Sequence, residues 1–314
     1  MHNPPFMDPI IPPVSRELLK QELTRDRFIR MTNNGNNEIY IVDHHNAPHV
    51  MQEVGRLREL TFREAGGGTG KPADIDDHDT SPVPFQQLIV WQPQEEEIVG
   101  GYRYILCQDL IQPGSGDFDS PTSGLFSFSR KFIDEFLPYT IELGRSFVQP
   151  AYQPSLNSRK GIYSLDNLWD GLGALMVDHP HIRYFFGKIT MYPHTPVLGR
   201  ELILYFLQKH FPDPDELVRP HKPVPFQTPL SRLDEMLSEK EYAADYRLLV
   251  QHVRSQQMNI PPLVNAYMNL SPTMRSFGTA INDHFGMVEE TGIMVTIGDI
   301  YDGKVERHVS TYQR

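Results

Sequence analysis

The stretch Tyr139–Gln149, Y-T-I-E-L-G-R-S-F-V-Q, limits the fold more than any other part of the chain. Thr140, Glu142 and Gly144 alternate with Ile141, Leu143 and Arg145; Phe147 and Val148 follow, and Pro138 and Pro150 bracket the run. Alternation with period two between prolines predicts a short strand. Its odd feature is an acid and a guanidinium three residues apart beside a glycine. Charges inside a sheet need partners, because burial without one is costly. Two arrangements satisfy that need: a structural ion pair, or a carboxylate held by a guanidinium in a substrate cleft. The strand alone leaves both open.

The surrounding chain supplies further elements. Residues 1–13 hold five prolines and read as an extended arm. Without a basic region ahead of an apolar core, the arm is not expected to be a secretory signal. Ser15–Thr24 is a short capped helix, Asn33–Asn37 a turn and Glu38–Val42 a strand. Residues 1–37 therefore read as arm plus helix, and 38–314 as one large domain. Pro48–Arg63 places Val50, Val54, Leu57 and Leu60 at helical spacing. Phe85–Trp91 and Ile98–Leu106 form a hairpin around a polar turn, with Arg103 inside its second strand. Asp109–Leu125 is a loop and Ser129–Leu137 a short helix. Beyond the central strand come a polar loop, a helix over Leu165–Val177, a strand over Ile182–Met191 and a helix over Gly199–His210. A proline-rich stretch and a charged helix, Leu233–Gln256, make a mainly helical insertion over about residues 212–258. Ile260–Leu270 and Glu290–Ile300 read as further strands. The order predicts an α/β sandwich around one mixed sheet.

Several functions are disfavoured. A formal net charge of −11 argues against nucleic acid as a partner. No run of 18 apolar residues exists to span a membrane. The single cysteine, Cys107, ends an apolar run and reads as a buried thiol, not a nucleophile. Gly66–Lys71, G-G-G-T-G-K, is not a P-loop: Ala65 stands where a glycine is needed, Pro72 replaces the Ser or Thr, and a helix precedes it. It is expected to be a flexible loop. The acidic run Asp74–Asp79 lacks the spacing of a calcium loop and reads as a solvated turn, or as partners for nearby arginines. The histidines show no metal-ligand spacing, and no metal is expected. Arg159, Lys160 and Gly161 precede a helix N-terminus, where amides and cations suit a phosphate; a solvated basic turn is the other reading.

Four spaced elements resemble those of a known family. Arg58 and Phe62 lie four apart on a helix, Asp76 and Asp79 form an Asp-x-x-Asp turn, Arg103 sits on the second hairpin strand, and Glu142 and Arg145 form Glu-x-x-Arg on the central strand. In this order they resemble the acyl-homoserine-lactone synthases and the hemolysin-like, acyl-ACP-dependent amino-acid N-acyltransferases of the GNAT fold. The segments L-D-N-L-W-D-G-L-G-A-L-M, R-Y-F-F-G-K-I-T-M-Y-P and P-P-L-V-N-A-Y-M-N-L look most like the glycine N-acyltransferases of that group. The aromatic that helps the autoinducer synthases hold S-adenosylmethionine is replaced here by the glycine loop. The "hemolysin" label has no physical support in this chain, which offers neither a spanning helix nor alternating barrel strands.

The resemblance implies transfer of a long-chain, 3-hydroxy fatty acyl group from acyl-ACP to an amino-acid amine, glycine first, as the opening step of aminolipid synthesis. Ornithine as acceptor and acetyl-CoA as donor are the enzymatic alternatives, and a non-catalytic lipid- or protein-binding role is the third. It implies Glu142 as base with Arg145 and Arg103 orienting it, Arg58, Phe62, Asp76 and Asp79 at the substrate, and Arg159, Lys160 and Gly161 at phosphopantetheine. Phe185, Phe186, Ile189, Leu263 and Tyr267 are expected either to line an acyl channel or to be core. No permanently bound cofactor is implied; acyl-ACP or acyl-CoA is the co-substrate. Carrier protein is the expected partner, and the expected location is cytoplasmic, with peripheral contact at the inner membrane through the lipid product.

Overall fold

The computed structural model describes residues 7–111, 118–153, 161 and 163–313. In chain order the strands are β1 (Phe28–Met31), β2 (Glu38–Val42), β3 (Gln86–Gln92), β4 (Glu97–Leu106), β5 (Phe126–Phe128), β6 (Thr140–Val148), β7 (Tyr184–Met191), β8 (Val218–Pro220), β9 (Arg275–Asn282) and β10 (Val288–Thr296). The helices are α1 (Arg16–Glu22), α2 (Pro48–Glu64), α3 (Asp77–Thr80), α4 (Ser164–Asp178), α5 (Val197–His210), α6 (Leu230–Met236), α7 (Tyr242–Ser255), α8 (Pro262–Met268) and α9 (Asp302–His308). The main sheet runs β1-β2-β3-β4-β6-β7-β10-β9, and β5 with β8 makes a small ribbon. β1 precedes the expected boundary at residue 38, yet it is the edge strand of this same sheet.

Among the pairings of the main sheet only β6 with β7 is parallel. Parallel neighbours need a crossover, which the chain makes through α4. The pairing lasts for four residues, Thr140–Leu143 against Tyr184–Gly187. Gly187 sits on the last rung, where a Cβ would lie 2.7 Å from the Leu143 carbonyl oxygen. Past it the two strands part.

One sheet face packs on α4, α5 and α7 through Leu168, Leu172, Phe206, Leu207 and Leu249. The other face is covered in two pieces. α1 and α2 lie over β2, β3 and β4, meeting Ile89, Trp91 and Phe147. Residues 107–111 and 118–137 and the β5–β8 ribbon lie over β7, β9 and β10, meeting Phe186, Phe277 and Met294. The seam between these covers falls where β6 and β7 separate.

The hairpin, the central strand and the helices α1, α2, α4 and α5 stand where the residue patterns predict them. Ile260–Leu270 does not form a strand. Pro261 caps and Pro262 opens α8, and Val264, Tyr267 and Met268 are buried at helical spacing. A short apolar run cannot by its period tell a buried strand from a buried helix. The helix expected over Ser129–Leu137 is a single wide turn, Phe132–Phe136, running into a tight one at Leu137–Tyr139. Leu233–Gln256 divides into α6 and α7, and β9 lies in a stretch from which no strand is predicted.

Candidate active site

The parted strands open into a cavity of about 650 Å³. Phe62, Phe85, Ile189, Leu263, Val264 and Phe285 give it apolar walls, and Arg103, Glu142, Arg145, Lys188 and Glu290 bring charge into it. A volume of this order with few polar groups is typical of a ligand site.

A bulge in β6 sets the geometry. Arg103 pairs with Gly144 and Gly101 with Phe147, so β6 spends one more residue than β4 between these rungs. Arg145 takes the extra position with φ at +48°, a left-handed conformation that a non-glycine residue adopts at a cost. The extra residue shifts the alternation, so Glu142, Gly144 and Phe147 all lie on one face of the sheet, the face that α2 partly covers. Its side chain is held on both sides: Nε lies 2.8 Å from Asp74 Oδ2, and the guanidinium lies 4.0 Å from the centre of the Phe285 ring. The N–H is not aimed at the Asp74 oxygen, so that contact is Coulombic rather than a hydrogen bond.

Three arginines and three aspartates form a closed cluster beside the cavity. Arg103 donates to both Asp76 oxygens at 2.8 Å and to Asp79 Oδ2 at 3.2 Å. Arg58, fully buried one layer deeper, donates to Asp79 at 3.2 and 3.3 Å and to Gln87 Oε1. Asp76 caps α3, and the Asp79 side chain accepts from the Asp76 N–H in return. Burial by itself raises the Asp79 carboxyl, but Arg58 and Arg103 override it and hold the group well below the usual carboxylate range. Burial also lowers both guanidinium groups. Arg58, mainly facing Asp79, stays lowered, while Asp79 and Asp76 together carry Arg103 above its ordinary value.

The glycine loop next to this cluster is tied down rather than loose. Glu59, fully buried, accepts from the Thr69 N–H and hydroxyl, the Gly70 N–H and Arg63 Nε at 2.6 to 3.0 Å. The order of the loop comes from a helix carboxylate that a motif search passes over.

A second charged group forms the cavity floor on the same sheet face. Glu142 is buried, and its Oε1 accepts from the Thr122 hydroxyl at 2.6 Å. Its Oε2 is buried with no hydrogen-bond partner among the described residues. Across the opening, Lys188 Nζ lies 3.3 Å from Glu290 Oε2 and donates to the Pro121 carbonyl at 3.2 Å. Tyr192 lines the same wall. Its burial, with Glu290 nearby, pushes the phenol up to about 12, so it stays a neutral donor.

The structure gathers Arg58, Phe62, Asp76, Asp79, Arg103, Glu142 and Arg145 in one region. It changes their relations. Arg103 and Arg145 were expected to orient Glu142, but they are committed to Asp74, Asp76 and Asp79, and Thr122 holds Glu142 instead. Gly161 lies on the cavity wall. Arg159 and Lys160 fall outside the described residues. Of the proposed acyl-channel residues, Ile189 and Leu263 line the cavity. Phe185, Phe186 and Tyr267 surround a void of about 30 Å³ and pack as core; that space matches about one water. Cys107 is buried, and burial pushes its thiol well up. Among the described residues no group of three or more His, Cys, Asp or Glu is placed to hold a metal, and no helix is long and apolar enough to cross a membrane. Sequence reasoning missed Thr122, Lys188 and Glu290. Glu290 stands in E-E-T-G before an apolar strand, and that acid in a buried run was the available signal.

Comparison with known proteins agrees with this architecture. Residues 57–159 match the Acetyltransferase (GNAT) domain family. A glycine N(alpha)-acyltransferase of Bacteroides thetaiotaomicron is 55% identical over 306 residues, which is 98% of this chain and 91% of that protein. A glycine N(alpha)-acyltransferase of Phocaeicola vulgatus is 51% identical over 306 residues, 98% of this chain and 94% of that protein. With such identity along nearly the whole length, and with a sheet that splays at its parallel pair, this chain belongs to that family of GNAT-fold N-acyltransferases.

Proposed function

We propose that the protein moves a long-chain, 3-hydroxy fatty acyl group from the phosphopantetheine thioester of acyl carrier protein to the amine of glycine, the first step in making an aminolipid. The observation that carries this reading is Glu142: a buried carboxylate at the strand opening with one oxygen engaged by Thr122 and the other without a hydrogen-bond partner among the described residues. The acceptor's ammonium gives one proton to solvent to become a neutral amine, and Glu142 takes the second proton as that amine attacks. The nitrogen bonds to the thioester carbon, and the C–S bond breaks. The departing thiolate recovers the proton from Glu142. Main-chain N–H groups of β6 beyond Leu143, released from β7, are suited to the negative charge on the carbonyl oxygen during this step.

The apolar walls suit a fatty chain. Arg159 and Lys160 are assigned from sequence to the phosphopantetheine phosphate, with Gly161 beside them on the wall. The acidic carrier protein docks on a local basic patch despite the net charge of −11. The reaction takes place in the cytoplasm, with the product drawing the enzyme to the inner-membrane surface. Glycine is preferred over ornithine as acceptor because both relatives are named for glycine.

The test is to incubate the protein with 3-hydroxyacyl carrier protein, acetyl-CoA and an equimolar mixture of amino acids, then identify products by mass. N-(3-hydroxyacyl)glycine as the main product is expected. Acetylated products alone overturn the donor, acyl-ornithine overturns the acceptor, and no product overturns the catalytic reading.

A further inference from the structure

The cavity floor holds two buried acids and one cation, and their arrangement matches an amino-acid zwitterion. Glu142 pairs in register with Phe186 on β7, and Lys188 stands two residues further along the same face. Glu142 and Lys188 thus face one another diagonally across the place where the strands part, both on the cavity wall. Arg58 and Arg103 are engaged in hydrogen bonds to Asp76 and Asp79, and Arg145 is held 2.8 Å from Asp74 with its guanidinium against the Phe285 ring, so all three are fixed to the frame. Lys188 differs. Its ammonium has three N–H groups. The Pro121 carbonyl accepts from one, and the other two have no hydrogen-bond partner among the described residues. The contact to Glu290 is an ion pair at 3.3 Å, and Glu290 Oε2 accepts no well-formed hydrogen bond.

From this the geometry points to Lys188 as the residue that binds the carboxylate of the acceptor amino acid, with Glu290 holding the ammonium in place and Glu142 receiving the amine. This rests on the acyl-transfer reading above. An α-amino acid carries its two charged groups on one carbon, so two side chains facing each other across a narrow opening read both at once. A primary amine without a carboxylate leaves Lys188 unanswered. Lys188 is therefore a specificity-determining residue, and the carboxylate is the feature it selects.

The experiment compares glycine with glycinamide, which keeps the amine and lacks the carboxylate, using 3-hydroxyacyl carrier protein as donor. The wild-type protein is expected to favour glycine by at least roughly tenfold in kcat/KM. K188M is expected to raise the KM for glycine roughly tenfold to a hundredfold while changing glycinamide by about twofold or less. K188R is expected to recover part of the preference. Because K188M leaves Glu290 without its cation, K188M/E290Q is run in parallel to remove the uncompensated acid. Equal losses for both acceptors, or a wild-type protein indifferent to the carboxylate, overturn the assignment. Binding is read separately from turnover, by the rise in thermal midpoint with each acceptor. Stabilisation by glycine that glycinamide does not give, and that K188M/E290Q abolishes, supports Lys188 even if the donor assignment fails. Equal stabilisation by both overturns it.

Discussion

Two charged groups flank the same cavity and differ in how completely their charges are balanced. In the first, Arg58, Arg103 and Arg145 meet Asp74, Asp76 and Asp79, with Gln87 and the α3 cap absorbing further donors and acceptors. In the second, two acids share one base: Lys188 pairs with Glu290, and Glu142 meets the Thr122 hydroxyl and no cation among the described residues. A closed, buried ion network fixes the relative positions of the elements it joins, here α2, α3, β4 and the bulge of β6. An incomplete one in a cavity bears an energetic cost that a ligand with matching charges relieves. Residues that look most catalytic by type thus make up the frame, and the proposed chemistry falls to the group whose charges are less fully paired.

This contrast breaks if the two groups respond alike to mutation. The largest expected effect is on catalysis at the open group: E142Q should lower kcat by about 10²- to 10⁴-fold, as expected when a general base is lost, with an unfolding midpoint no lower than wild type. Unchanged turnover would remove Glu142 from the mechanism. At the closed group, R58L leaves Asp79 buried without its deepest cation and should cost about 3–5 kcal/mol of stability in denaturant unfolding. A loss below about 1 kcal/mol would show that the network does not brace the fold.

Acid should separate the groups as well. The folded state holds the Asp79 carboxyl below its unfolded value, so Asp79 contributes stability above that unfolded value, about pH 4. The contribution is lost as pH falls from about 4 toward the lower folded value. D79N should therefore show a shallower loss of stability between about pH 4 and pH 2 than wild type in acid titration by circular dichroism. Identical slopes would contradict the shift. The smallest effect is expected from T122V. It removes the one hydroxyl donor to Glu142 among the described residues and should lower kcat by roughly tenfold, with a stability loss of about 1–3 kcal/mol from the unsatisfied carboxylate oxygen. A change in stability without a change in rate would make Thr122 part of the frame instead.

Much of this was legible in the residues. Alternation between Pro138 and Pro150 gave the central strand, the stripe Val50, Val54, Leu57, Leu60 gave α2, and Arg103 inside a strand demanded an acid. The ordered series Arg58–Phe62, Asp76–Asp79, Arg103, Glu142–Arg145 pointed to the acyltransferase family, which the full-length relatives bear out. Lys188, a lone charge in an apolar run, was not legible, and Glu290, though its acid before an apolar run was a signal, had no visible partner, because nothing local says that β10 lies beside β7.

The sequence by itself determined the elements that depend on neighbours a few positions away: periodicity, caps and turns act within one helix turn or one strand. The tertiary structure alone decided which charges meet. Arg103 had two possible acids, and sheet register together with the α3 cap gave it Asp76 and Asp79 rather than Glu142. The Ile260–Leu270 run reads as a strand, and packing of Val264, Tyr267 and Met268 against the sheet made it a helix. Ion pairing depends on distance through space, and distance across a sheet is set by which strands pair and where one residue is inserted, as at Arg145.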